Sequence, residues 1–131
     1  MFLLDTNTLI YFFKGEGGVA AKLLGTPPDE VAVSTISLYE LETGLRKSAS
    51  PAKRRKQLDA FIGVAQIWEL DRASAASAAD IRAALEAKGQ PIGPLDTLIA
   101  GIAVAHAATL VTRNLREFRR VAKLRTVDWY S

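Results

Sequence analysis

The sequence predicts an α/β protein with a mainly parallel sheet of four to five strands and helices on both faces. Three observations lead there. Short apolar runs rich in Leu, Ile and Val recur along the chain. Between them lie segments with the apolar spacing of helices, and strands that alternate with helices call for right-handed crossovers and parallel pairing. Several acidic residues fall just after a strand or near the start of a helix, at the edge where open parallel sheets bind ligands.

Phe2 to Leu4 reads as the first strand, ending at Asp5. Thr8 to Phe13 predicts a short helix and Gly17 to Leu24 a second, before the break Gly25-Thr26-Pro27-Pro28. Val31 to Ser34 is the second strand, with Val31 and Val33 β-branched. Ile36 to Lys47 is a helix with Leu38, Leu41 and Leu45 on one face, and Pro51 opens another that runs to Gly63. Gln66 to Leu70 is the third strand. The alanine-rich stretch Ala73 to Lys88 predicts a helix by propensity, closed by Gly89 at the position after its cap. After the loop Gln90 to Gly93, Pro94 opens a helix through Ala107 whose stretch Leu98 to Ala105 is so apolar that it must be largely buried. Thr109 to Val111 is the fourth strand, Leu115 to Val121 a short helix, and Leu124 to Val127 a fifth, edge strand.

The chain has 131 residues, 49% hydrophobic and 24% charged. That is one globular domain, residues 1–131, large enough to bury roughly two-thirds of its unfolded surface. With no cysteine and one histidine, disulfides and thiolate metal sites are excluded and zinc chemistry is disfavoured. The lack of cysteine suits a cytoplasmic protein. The first apolar run meets Asp5 too soon for a signal peptide, and no run approaches the length of a membrane span. A net charge of +3 permits a nucleic-acid partner without requiring one.

Four acidic residues are candidates for one site: Asp5, Glu40, Asp96 and Glu117. Asp5 is delivered by the first strand, although Asp5 or Asn7 would also serve as a helix cap. Thr6, Asn7 and Thr8 stand ready to orient its carboxylate. Glu40 and Glu42 compete, because residues two apart lie about 200° apart around a helix, and spacing alone places Glu42 nearer the Leu38/Leu41/Leu45 face. Asp96 lies in the first turn of the apolar helix, where the helix dipole favours a negative charge. Asn114 and Glu117 form an Asn-x-x-Glu pattern that capping alone would explain. Carboxylates gathered at one edge suppress one another's ionisation unless a cation binds, and an all-oxygen set suits Mg²⁺ or Mn²⁺. His106, late in the buried helix, reads as structural. No phosphate loop, dinucleotide fingerprint, nucleophile elbow or zincin motif is present. The basic runs Arg46-Lys47 and Lys53-Arg54-Arg55-Lys56 read as a solvated face, with a phosphate-tracking patch joined by Arg113, Arg116, Arg119 and Arg120 as the functional alternative.

Taken in order, five segments resemble the PIN-domain ribonucleases, and most closely the VapC-type toxins of toxin–antitoxin pairs. They are Phe2 to Asn7; Ile36 to Gly44; Gly89 to Ala100; Leu110 to Phe118; and Leu124 to Trp129. Each is weak alone, but the ordered set spans nearly the whole chain. The resemblance implies a three-layer α/β/α fold. It selects Glu40 over Glu42, because the family's acid precedes Leu and lies four residues before Gly. It implies that Asp5 and Asp96 hold the metal, and that Thr6, Asn7 and Asn114 support the site. Where many PIN domains carry Asp, this chain has Asn114, with Glu117 three residues on. It further implies Mg²⁺- or Mn²⁺-dependent hydrolysis of RNA, transfer RNAs among the targets, a homodimer, and inhibition by a cognate antitoxin. Two other readings stand beside it. One is a phosphohydrolase with Asp5 as covalent nucleophile, which generally needs a second carboxylate where Asn7 stands. The other is a PIN-like module that binds RNA or protein without cleaving.

Overall fold

A computed structural model describes all residues, 1–131. Five parallel strands form one sheet in the order β3-β2-β1-β4-β5. They are β1 (Phe2–Leu4), β2 (Val31–Ser34), β3 (Gln66–Trp68), β4 (Thr109–Val111) and β5 (Arg125–Val127). β1 lies at the centre, with Leu4 level with Val33 on one side and Val111 on the other. Seven helices connect and cover the sheet: α1 (Thr6–Lys14), α2 (Val19–Leu24), α3 (Thr35–Arg46), α4 (Pro51–Ile62), α5 (Arg72–Ala87), α6 (Pro94–Ala105) and α7 (Leu115–Phe118).

The two-residue repeat of the strands splits the core into two layers. Leu3, Ala32 and Leu110 point to the side packed by Ile81 and Leu85 of α5 and by Ile99, Ile102 and Ala103 of α6. Leu4, Val33 and Val111 point to the opposite side, against Leu9, Val19, Leu41, Leu58 and Phe61. Each fully buried aliphatic side chain contributes about 1.5–3 kcal/mol, so these two layers supply most of the driving force. The helices α5 and α6 approach very closely, because Gly101 has no Cβ: one placed there would lie 2.6 Å from the Ala78 Cβ. No helix is long and apolar enough to cross a membrane.

The elements follow the pattern expected from sequence, with shifts at their ends. The first helix begins at Thr6 rather than Thr8, because Asp5 caps it by accepting from the Thr8 amide at 2.8 Å. Ser34 caps α3 in the same way, accepting from the Ser37 amide. The apolar helix stops at Ala105, where His106 caps it and Ala107 takes a φ of 52°. Gly89, with a φ of 66°, ends the alanine-rich helix as expected. The third strand is shorter than predicted, ending at Trp68 as the chain turns towards the Asp71 cap of α5. A single 3₁₀ turn, Pro28–Glu30, precedes β2.

Candidate active site

The strand order places a switch point between β1 and β4. From β1 the chain crosses to β2 on one side, whereas β4 lies on the other. Connections leaving the two strands therefore diverge and leave a crevice at their carboxyl ends. Asp5 follows β1 there, and Arg113 and Asn114 follow β4. The two segments are tied together by the Asp5 amide donating to the Val111 carbonyl at 3.1 Å. The Thr8 hydroxyl donates to the same carbonyl at 3.1 Å. Asp5, Asn7, Tyr11, Arg113 and Asn114 line an open depression at this point.

The other acids arrive from three separate elements. Glu40 comes from the second turn of α3, which leaves the carboxyl end of the adjacent β2. Asp96 is in the first turn of α6; this helix runs back to the start of β4, so its first turn lies at the carboxyl edge. Glu117 is on α7, just beyond β4. The charges of Asp5, Glu117 and Glu40 all act on Asp96, and together with partial burial they push its carboxyl up to about 6. Burial likewise raises the pKa of Asp5, which is only 6% exposed; Thr112 and Thr8 oppose the rise and the charge of Glu40 adds to it. None of the four forms an ion pair within the protein.

Around the acids stands a set of orienting groups. The Thr6 hydroxyl donates to Glu40 Oε1 at 2.7 Å and lies 3.0 Å from the Ser37 hydroxyl. The Asn114 side-chain amide donates to Glu117 Oε2 at 2.9 Å. This is not the capping box that the sequence pattern suggested, since the Asn114 side chain makes no cap bond to the helix backbone. Instead the Asn114 amide N–H donates to the Thr112 hydroxyl at 3.0 Å, which leaves the side chain free to hold Glu117.

Glu42 is accounted for elsewhere. Arg55 grips it with two bonds of 2.8 Å, and Arg46 donates to it at 2.6 Å. These arginines hold its carboxyl down at about 2. It fastens α3 to α4, so two of the six basic residues read as a solvated face, Arg46 and Arg55, are structural. His106 lies apart from the acids and stacks on Trp68, with ring centroids 3.8 Å apart. Arg113 and the two tyrosines beside it, Tyr11 and Tyr130, belong to the site although neither tyrosine stood out in the sequence. The only prior signal for Arg113 was its place in a basic stretch.

Fold and crevice together define a parallel α/β protein with an acidic centre at its topological switch point. The PIN domain family matches residues 2–124. A tRNA(fMet)-specific endonuclease VapC from Shigella flexneri is 35% identical over 128 residues, covering 98% of this chain and 97% of its own. Ribonuclease VapC2 from Rickettsia felis is 34% identical and covers 98% of each chain. Among solved structures, DNA-bound VapBC from Salmonella typhimurium superposes with a TM-score of 0.91 at 36% identity, over 98% of this chain and 97% of that one. The chain therefore belongs to the PIN-domain family and, within it, to the VapC ribonucleases.

Proposed function

We propose that this protein is a metal-dependent endoribonuclease toxin that hydrolyses RNA phosphodiester bonds and is held in check by a cognate antitoxin. The observation that carries this reading is the placement of four carboxylates at the carboxyl edge of the sheet beside its switch point, and the raised proton affinity of Asp96 is the electrostatic consequence. Carboxylates from four separate elements share one field, and no lysine or arginine forms an ion pair with any of them. A protein that assembles such a centre is prepared for an external cation. The donors are all oxygen, which suits Mg²⁺ or Mn²⁺. No three acidic side chains converge into a ready coordination shell. That sparseness fits an ion that keeps several of its own waters and is held by one or two carboxylates plus substrate phosphate.

In this reading Asp5 and Asp96 hold the ion. Bound there, it supplies Lewis acidity towards the phosphate and lowers the pKa of water. Glu40, its Oε1 fixed by Thr6, keeps Oε2 free to orient the attacking water and take its proton. The water oxygen bonds to phosphorus as the phosphorus–ribose oxygen bond breaks. Glu117, positioned by Asn114, completes the acidic wall. Neither a histidine base nor attack by the ribose 2′-hydroxyl is needed. The named activity of the Shigella relative makes initiator tRNA the first substrate to offer, and the VapBC complexes support a partner antitoxin. A homodimer working in the cytoplasm completes the proposal.

The test is cleavage of an initiator tRNA transcript, within a mixed tRNA pool, by antitoxin-free protein. Cleavage that needs Mg²⁺ or Mn²⁺ and disappears with chelator and in Asp5→Asn supports the proposal. Folded protein that binds Mn²⁺ and RNA but leaves every tRNA intact favours the non-cleaving binding module.

A further inference from the structure

The acidic crevice poses an electrostatic problem that its own residues must solve. Four carboxylates meet a polyanionic substrate, and one divalent ion leaves the centre negative. Arg113 is the only cationic side chain lining the depression that Asp5 and Asn114 form. It makes no salt bridge, and its hydrogen-bonding neighbours are the Tyr11 and Tyr130 side chains, which raise its pKa and leave most of its five N–H donors unspent. By contrast Arg46, Arg54, Arg55, Arg82, Arg120 and Arg125 all spend donors internally.

Aromatic faces hold Arg113 in place instead. Its guanidinium carbon lies 3.7 Å from the Tyr130 ring centroid and 5.7 Å from that of Tyr11. The two rings meet edge to face at 4.9 Å. A guanidinium placed over a ring uses its face and leaves its N–H edge free, so its fork remains available for bidentate phosphate recognition. Tyr130 is itself fixed. Its carbonyl accepts from the Gly18 amide at 2.7 Å, and its amide donates to Asp128 Oδ1 at 2.8 Å. Its ring rests on Gly17, where a Cβ would approach to 2.7 Å. The neighbouring Trp129 is buried against Phe2, with ring centroids 5.1 Å apart.

We propose that Arg113, held against Tyr130 and Tyr11, receives a backbone phosphate of the RNA strand and sets that strand's position over the carboxylates. This deepens the nuclease reading and rests on it. Arg113 is a binding residue for substrate, and Tyr130 is the positioning residue that keeps its fork turned outward.

Two readouts test this on Arg113→Ala, Arg113→Lys, Tyr130→Leu and Tyr130→Phe. The first is the salt dependence of binding to a labelled initiator tRNA transcript in chelator. The second is the KM and kcat of its cleavage in Mn²⁺. Arg113→Ala is expected to flatten the slope of log affinity against log salt by nearly one unit, the loss of about one phosphate contact. It should also raise KM by about ten- to hundred-fold, the range for a lost charged hydrogen bond. Lysine should restore the salt slope but only part of KM. Tyr130→Phe should behave as wild type, while Tyr130→Leu should raise KM with the salt slope intact. An unchanged slope and KM in Arg113→Ala would overturn the inference while leaving the nuclease reading standing. A flattened slope in a protein that cleaves nothing would overturn the nuclease reading and keep the phosphate contact.

Discussion

Asp96→Asn should stabilise the metal-free protein at neutral pH, and the size of the effect follows from the site. The Asp96 carboxyl is pushed from 3.8 up to about 6, first by burial and then by Asp5, Glu117 and Glu40. A shift of about two units corresponds to about 3 kcal/mol of penalty on the ionised form. Asp96 is only half-buried, and solvent screening brings this to roughly half. Against it stands the favourable dipole at the first turn of α6, about 0.5 kcal/mol. Repulsion and desolvation therefore win, and the amide should gain about 1 kcal/mol, or about 3–5 °C in Tm for a chain of this size. The sign with pH is fixed by linkage. Because the folded pKa lies above the unfolded one, the native state binds more protons between about pH 4 and 6. The penalty is absent below the unfolded value and complete above the folded one. Wild-type stability should thus fall, relative to Asp96→Asn, as pH rises through about 6. Thermal unfolding in chelator across that range measures it. Adding Mn²⁺ at neutral pH should reverse the order, since only the wild type gains fully from binding an ion. Equal Tm values in chelator at neutral pH would refute the claim that Asp96 sits in the field of the other acids.

Glu40→Gln should abolish metal-dependent cleavage whereas Glu42→Gln should leave kcat intact, because Glu42 is occupied by Arg46 and Arg55; comparable losses in both would contradict the assignment. Thr6→Val, which frees Glu40 Oε1, should lower kcat or Mn²⁺ affinity about ten- to hundred-fold with little change in Tm. Gly101→Ala should destabilise by about 1–3 kcal/mol through its clash with Ala78, read as a lower denaturant midpoint with cleavage retained where the protein is folded. An unchanged midpoint would show that α5 and α6 separate at little cost.

The strands and helices were legible because burial writes a period into them: Leu3 and Leu4 face opposite layers, and the apolar run of α6 lies under one of them. Asp5 was legible for the same reason, since a carboxylate directly after a buried strand is conspicuous. Glu40 was not legible from spacing. Helical arithmetic placed Glu42 nearer the apolar face, and only the resemblance singled out Glu40. The physical reason lies in contacts distant in sequence: Arg55 of α4 claims Glu42, and Thr6 of α1 claims Glu40. The Asn114–Glu117 pattern misled in a different way. The spacing suits a capping box, but the Thr112 hydroxyl takes the Asn114 amide and turns the side chain to another use. Tyr11 and Tyr130 left no local signal at all, since their role depends on the chain's two ends meeting at Gly17 and Gly18.

The handling of cations ties these observations together. A guanidinium about 4 Å from a carboxylate contributes about 4 kcal/mol of attraction near a protein surface before desolvation and side-chain ordering are counted. One such neighbour would lower the proton affinity of Asp96 rather than leave it raised. The protein avoids that neutralisation in two ways. Between α3 and α4 it gives Arg46 and Arg55 a different acid, Glu42, two residues from Glu40. At the crevice it gives Arg113 two aromatic faces. An exposed salt bridge yields only about 0–1 kcal/mol net, whereas a cation over aromatic rings gains about 0.5–2 kcal/mol with less ordering of flexible side chains. Arg113 thus rests over Tyr130 and forms no salt bridge with Asp5, and in the proposed role its remaining donors serve a phosphate. In the proposed mechanism the centre thereby stays acidic for a metal, and the arginine that lines the depression keeps donors for the substrate.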